Sequence, residues 1–294
     1  MQSITMTITG AEEGRSVRSL LKNELQFSSH AISRLSRRET GILVNGVRAF
    51  TTAPLRAGDR LTVETGDPGR PEAAAAAADC PFPILYEDGD LLVLNKPAGL
   101  AVHASSLAPE TPTVADALAV SRGGYVFHPV SRLDRGTTGL MVVAKSGYIH
   151  DRLRRIMHTG DFYREYRAVC IGTPSPEKGR IALPIGRAEG SALKRTVRPD
   201  GAEAITDYEV LETYGDCSLV RLIPQTGRTH QLRVHMAALG CPLAGDWLYG
   251  TEERDRIARP ALHSYALQLV HPISGELLSL TAPLPEDMKK LLIP

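Results

Sequence analysis

The segment His128-Pro129-Val130-Ser131-Arg132-Leu133-Asp134-Arg135-Gly136-Thr137-Thr138-Gly139-Leu140 sets one carboxylate between two arginines. Turn residues follow and then an apolar run, so Asp134 is expected on a loop that enters a strand. Flanking guanidinium groups favour the ionised carboxylate. An ionised carboxylate on a rigid loop can act as a nucleophile; a structural salt bridge is the other reading these residues allow. A second segment runs Thr226-Gly227-Arg228-Thr229-His230-Gln231-Leu232-Arg233-Val234-His235. It joins a strand to a helix expected to start near Thr229, with Leu232, Met236 and Leu239 inward and Gly240 as terminator. A helix start favours anions, so the segment reads as a phosphate site or as a polar helix start. A metal site is not expected, because His230 and His235 do not form the i, i+4 ligand pair and no acidic residue lies between them.

These residues need a scaffold, and composition bounds it. The chain has 294 residues, 43% hydrophobic and 23% charged, an ordinary globular balance and enough for two domains. No stretch approaches the roughly 18 apolar residues of a membrane helix. Met1 to Gly14 lack a basic start followed by an apolar run, so no secretory leader is expected. Cys80, Cys170, Cys217 and Cys241 are widely spaced, which argues against a zinc site and a disulfide framework. A cytoplasmic protein with reduced thiols is the expectation. Lys and Arg number 34 against 33 Asp and Glu, a net charge of +1. Any nucleic-acid surface must therefore be local. Residues 1–66 carry nine Lys and Arg against six Asp and Glu.

Residues 68–80, with Ala73 to Ala78 between prolines, read as a linker between a small domain, 1–67, and a larger one, 81–294. In the small domain Ser16 is expected to cap a helix that buries Val17, Leu20, Leu21 and Leu25. A second helix, from Ser28 or Ser29 to about Arg38 and ended by Gly41, puts Arg34, Arg37 and Arg38 on or near its outer face. Asn45-Gly46 signals a hairpin. In the larger domain strands are expected at Leu91–Leu94, Leu140–Ala144, Arg167–Ile171 and Leu219–Ile223. A helix there buries Ile149, Leu153, Ile156 and Met157. Short strands between long connections argue for an α+β fold.

The small domain resembles the S4 RNA-binding domain in Gly14-Arg15-Ser16-Val17, Leu20-Leu21, Ser28-Ser29, Gly41-Ile42-Leu43-Val44-Asn45-Gly46 and Leu55-Arg56-Ala57-Gly58-Asp59. The larger domain closely resembles the RluA family of pseudouridine synthases, which isomerise uridine in RNA. Five blocks carry this in the family's order: Asn95-Lys96-Pro97-Ala98-Gly99-Leu100, Arg132-Leu133-Asp134 with Thr137-Thr138-Gly139, Arg164-Glu165-Tyr166-Arg167-Ala168, Thr226 to His235 with Gly245-Asp246 and Tyr249-Gly250, and Leu262-His263-Ser264 with His271-Pro272. The layout is like that of RluD-type members. Arg164 stands where lysine is usual, and Thr138 where serine is common.

The resemblance implies a mixed, mainly antiparallel catalytic domain behind a small α/β S4-like domain. It implies that Asp134 is the catalytic aspartate, that Tyr166 lies against the target uracil and that Arg233 pairs with Asp134. Arg132, Arg228, His230 and Leu232 are candidate substrate-binding residues, and Arg34, Arg37 and Arg38 candidate RNA contacts. Clustered guanidinium groups bind phosphates and set register without reading sequence. No cofactor or metal is expected, and a monomer is. RNA is the expected partner: large-subunit ribosomal RNA first, tRNA second. A ribosome-assembly protein with secondary catalysis is a further alternative. A glycosidase-like hydrolase would need a second carboxylate about 5–10 Å from Asp134; Asp246 is the candidate, although Gly245-Asp246 fits a turn equally well.

Overall fold

The computed structural model describes residues 2–67, 80–104, 111–122, 127–251 and 255–293. Residues 68–79, most of the expected linker, lie outside them. Near the N-terminus, Ser16 accepts the Ser19 amide at 3.2 Å and starts the helix Val17–Asn23. Ser28 accepts the Ala31 amide at 3.2 Å and starts Ser29–Ser36. Both caps satisfy amides that a helix leaves without an internal partner. Four antiparallel strands complete this part, in the order Ser3–Thr7, Arg60–Glu64, Ile42–Val44, Val47–Arg48. Asn45 (φ 53°) and Gly46 (φ 81°) make the left-handed hairpin turn that their sequence predicts.

The second helix stops at Ser36, with Arg37 as its C-cap and Arg38 beyond it, so Gly41 does not end it. Gly41 permits a close approach instead, since a Cβ there would stand 2.2 Å from the Leu35 carbonyl oxygen. The three arginines accordingly do not share one helix face. Arg34 lies 3.7 Å from Asp67, and Arg38 lies 2.6 Å from the buried Glu64. Of the three, Arg37 alone lacks an ion-pair partner among the described residues.

A ten-stranded sheet forms the larger part. Its main path runs Lys178–Ala182, Ile205–Tyr214, Cys217–Pro224, Phe162–Ile171, Leu262–Val270, Thr138–Ala144, Leu91–Lys96, Ile84–Glu87. Neighbours are antiparallel except Thr138–Ala144 and Leu262–Val270, which run parallel with His263 opposite Thr138. This is the mixed, mainly antiparallel α+β architecture the sequence implies. The expected Arg167–Ile171 is the end of Phe162–Ile171, and Leu219–Ile223 lies inside Cys217–Pro224. Ile205–Tyr214 alternates Tyr208 and Val210 with Asp207 and Glu209 only briefly before a register shift between Val210 and Glu212 breaks the pattern on a partly exposed strand, so it escapes a pattern reading.

The N-terminal part packs against this sheet. Ser146 caps the helix Gly147–Ile156, which buries Tyr148, Ile149 and Leu153. The Phe27 ring stacks on Tyr148 with centroids 4.2 Å apart, and the Tyr148 hydroxyl donates to the Leu25 carbonyl at 2.9 Å. Asp67 meets His128 Nε2 at 2.6 Å and accepts the Gly147 amide at 3.3 Å. One apolar cluster joins Leu20, Phe27 and Ile32 to Leu91, Val142, Ile149 and Leu153. We expect Phe27→Ala to lower the unfolding free energy in urea by about 3–5 kcal/mol, as for other buried aromatics. An unshifted urea midpoint would mean that this face is not packed in solution.

Candidate active site

Asp134 sits on the loop that feeds Thr138–Ala144, and its side chain is 30% exposed. Its neighbours in the chain are pinned. The Thr137 amide donates to the Asp134 carbonyl at 3.0 Å. The Arg135 carbonyl accepts the Gly99 amide at 2.9 Å and Lys96 Nζ at 3.3 Å. The Gly136 carbonyl accepts Arg259 Nη1 at 3.1 Å, and Asp287 holds Arg259 through Nε and Nη2 at 2.7 and 2.9 Å. Thr138 Oγ1 then lies 2.8 Å from His263 Nδ1, while His263 Nε2 lies 3.0 Å from the Ala282 carbonyl. A carbonyl only accepts, so the His263 proton is on Nε2, and the Thr138 hydroxyl donates to Nδ1. The threonine therefore does the work that serine could do. Gly139 (φ 105°) closes the loop: a Cβ there would fall 2.2 Å from the Ser264 carbonyl oxygen.

Lys96 is wholly buried beside this loop. Its ammonium also donates to the Pro97 and Leu100 carbonyls, both at 2.8 Å, so one side chain ties two loops together. Burial chiefly, and then Arg259, pull its pKa down to about 8 against the pull of Asp134. The folded chain thus holds this proton less tightly than the unfolded chain, whose lysines titrate near about 10.4. Below the folded value both states are protonated and the folded state bears the full cost of the buried charge. That cost is relieved as pH rises through the window between the two values. Wild type should therefore gain on Lys96→Met by up to about 3 kcal/mol between about pH 7 and about pH 10. Denaturant melts of both proteins across that range check this, and a flat difference would contradict a buried cation at position 96.

Arg233 belongs to the helix Gln231–Ala238, which starts two residues later than expected. The delay comes from His230, which takes a left-handed conformation (φ 58°) as the residue before the helix. Gln231 fixes this entrance: its Oε1 accepts the Thr226 hydroxyl at 2.8 Å and the Arg228 amide at 2.9 Å. Its Nε2 donates to the Ile205 carbonyl at 2.9 Å. Arg233 is 5% exposed. Its Nε and Nη2 donate to the two oxygens of Asp246, both at 2.7 Å. Its Nη1 donates to Asp134 Oδ2 at 3.3 Å. Burial would weaken protonation of Arg233, but Asp246 first and Asp134 second outweigh it and raise the pKa.

Asp246 is fully buried, and its Oδ1 also accepts the amides of Leu248 and Tyr249 at 3.1 and 3.3 Å. It is the orienting partner of Arg233. That removes it as the second catalytic carboxylate of a glycosidase, because both oxygens are committed to the guanidinium. Sequence reading missed this role, since Gly245-Asp246 looks like any turn.

Tyr166 lies on Phe162–Ile171, opposite Leu222 on one side and Ser264 on the other. It is buried with Leu133 and Leu232 in one apolar cluster. Burial pushes its phenol pKa up, with Arg164 and the Ser264 hydroxyl opposing, so it keeps its proton at neutral pH. Leu232 is thus a core residue beside Tyr166. Arg132 is exposed and has no partner among the described residues, whereas Arg228 is exposed with its Nε on the Glu203 carbonyl at 2.8 Å. His230 Nε2 stands 3.8 Å from Asp134 Oδ2. The structure therefore brings together Asp134, Arg233 and His230, and leaves Arg132 and Arg228 outside that buried cluster.

Among the described residues, Asp88, Asp90 and His271 come nearest to a metal-ligand set, with ligand atoms within 4.8 Å of one another. His271 Nδ1 accepts the amides of Ile273 and Ser274 at 3.3 and 3.1 Å, so its proton is on Nε2, 3.0 Å from Asp88 Oδ2. The neutral ring thus turns its one N–H toward a carboxylate, whereas a ligating imidazole donates through its second nitrogen.

One carboxylate gripped by a buried arginine, beside a buried tyrosine and with arginines at the rim, suits an enzyme that rearranges a base on a polyanion. Comparisons with known proteins agree. The family model described as RNA pseudouridylate synthase matches residues 90–238. A ribosomal large subunit pseudouridine synthase D of Vibrio cholerae is 39% identical over 291 residues, covering 90% of this chain and 87% of that protein. A Bacillus subtilis protein named as the uncharacterized RNA pseudouridine synthase YlyB is 36% identical over 295 residues, 97% of this chain and 96% of that protein. A solved human RNA pseudouridylate synthase domain containing 4 structure superposes with a TM-score of 0.58 at 28% identity, over 71% of this chain and 91% of that one. The chain belongs to the RNA pseudouridylate synthase family, in its RluA branch. It is an isomerase that acts on RNA. No helix among the described residues is long and apolar enough to cross a membrane.

Proposed function

We propose that this enzyme isomerises uridine in large-subunit ribosomal RNA, in the cytoplasm, with Asp134 as the nucleophile acting on a base flipped out of its helix. One observation carries the nucleophile. Arg233 holds Asp134 by Oδ2, while Oδ1 has no hydrogen-bond partner among the described residues, on a side chain 30% exposed. One oxygen is thus fixed and the other is free to attack. The N1–C1′ bond breaks, the uracil turns and C5 bonds to C1′; the C5 hydrogen then leaves as a proton and N1 takes one up, so the isomerisation balances whether Asp134 adds at C1′ or at C6. Tyr166 supplies an apolar wall for the base. Flipping costs roughly a few kcal/mol, and the unpartnered Arg132 is placed on the same loop to fill the vacated space. The reaction is a redox-neutral rearrangement, and no step here calls on a cofactor or metal.

Similarity to a protein named for the large ribosomal subunit supports the substrate. The S4-like N-terminal part would add phosphate contacts; of Arg34, Arg37 and Arg38, Arg37 is the one without an ion-pair partner among the described residues. The test is a position-resolved pseudouridine map of total RNA from cells with and without the gene. A site lost from large-subunit ribosomal RNA is expected. Loss confined to tRNA would overturn that target, and no lost site anywhere would overturn the activity in the cell.

A further inference from the structure

We propose that Tyr249 and His230 are positioning residues that hold the Asp134 carboxylate through a fixed imidazole tautomer; the inference rests on Asp134 being the nucleophile. The proton positions follow from hydrogen-bond accounting. The Arg195 backbone amide can only donate, and it donates to the Tyr249 hydroxyl oxygen at 2.9 Å. The phenol proton is then left to donate, and His230 Nδ1 lies 2.8 Å away. Nδ1 is therefore bare, and the proton of the neutral ring sits on Nε2. Nε2 faces Asp134 Oδ2 at 3.8 Å, the same oxygen that Arg233 Nη1 approaches at 3.3 Å. Arg233 thus binds this oxygen, the His230 N–H faces it from just beyond hydrogen-bond reach, and both leave Oδ1 for the substrate.

The surroundings favour this neutral, oriented ring. The His230 side chain is 9% exposed. Burial lowers its pKa, and Arg233 and Arg195 add to that against the charge of Asp134. Its left-handed backbone is uncommon outside glycine and aims the ring from the helix entrance. Tyr249 meets His230 edge-on, with centroids 5.7 Å apart, and lies under the Arg233 guanidinium at 5.0 Å. The Asp246 turn that orients Arg233 also delivers Tyr249, whose amide Asp246 accepts. The Arg195 amide belongs to the two-stranded ribbon Ile185–Arg187 with Arg195–Val197, so that ribbon helps to set the proton position beside the nucleophile.

The test compares Tyr249→Phe, His230→Gln and His230→Ala with wild type. Turnover is read as tritium release from RNA carrying 5-tritiated uridine, and the His230 tautomer from imidazole 15N shifts. Tyr249→Phe keeps the ring and removes only the donor. Its His230 should leave the single Nε2–H form, and kcat should fall about tenfold or more, as for other small misplacements of a reacting group. KM should stay within about twofold, because RNA contacts are untouched. Glutamine places an N–H near the Nε2 position, so His230→Gln should recover most of the rate that His230→Ala loses. Wild-type kcat in both Tyr249→Phe and His230→Ala, or a rise in KM alone, would overturn the proposal. Asp134→Asn in the same assay separates the two readings. Its retained turnover would sink the nucleophile, whereas its loss beside unaffected Tyr249→Phe and His230→Ala would sink only the positioning pair.

Discussion

Replacing Asp134 by Asn should reduce tritium release from 5-tritiated uridine RNA by roughly 10⁴-fold or more, the scale on which loss of a covalent nucleophile is felt. The amide keeps the shape and the contact with Arg233 but cannot attack. Asp246 cannot substitute, because it is committed to Arg233 through both oxygens. The fold should be nearly unaffected. Asp134 is partly exposed, and the loop around it is held by its backbone carbonyls and not by its side chain. Turnover within a few-fold of wild type would remove Asp134 from the mechanism.

Arg233→Ala should cost both stability and activity. It strands Asp246, which has no exposed surface, and an unpaired buried charge costs roughly 3–5 kcal/mol. It also frees the nucleophile to rotate. The two losses can be parted. Arg233→Met together with Asp246→Leu replaces the pair by apolar volume, which is often neutral for stability, yet should stay inactive. Arg233→Lys keeps the charge but lacks the fork that reaches Asp246 twice and Asp134 once, so it should recover neither fully. Denaturant midpoints and single-turnover rates would report these separately. An Arg233→Ala enzyme with unchanged midpoint and rate would show that the contacts of Arg233 carry no weight.

What could be read from the sequence was local or came as a block. The Ser16 and Ser28 caps and the Asn45-Gly46 turn act within a few residues, so their chemistry is visible in the string of letters. The loop around Asp134 and the helix entrance before Arg233 stood out for their density of donors and turn residues. What stayed hidden depends on partners far along the chain. Asp246 looks like a turn residue until Arg233 is placed against it. Lys96 looks like a surface lysine until three carbonyls surround it. Arg34 and Arg38 read as solvent-facing cations, and their ion-pair partners Asp67 and Glu64 lie too far along the chain for sequence to show. Tyr249 stands out only as part of a family block, with no sign of its role; its importance is that of a hydroxyl lodged between a backbone amide and an imidazole.

The apolar cluster that passes from Leu20 and Phe27 to Ile149 and Leu153 has a thermodynamic consequence. Two domains on a slack tether would melt independently and give two heat-absorption peaks. Here the N-terminal residues cannot open without wetting the inner face of the helix Gly147–Ile156 and the sheet beneath it. The two parts should therefore unfold as one cooperative unit, with a single endotherm in calorimetry. Amides of Leu20, Ile32, Val142 and Ile149 should exchange with solvent at a common slow rate, set by opening of the whole molecule.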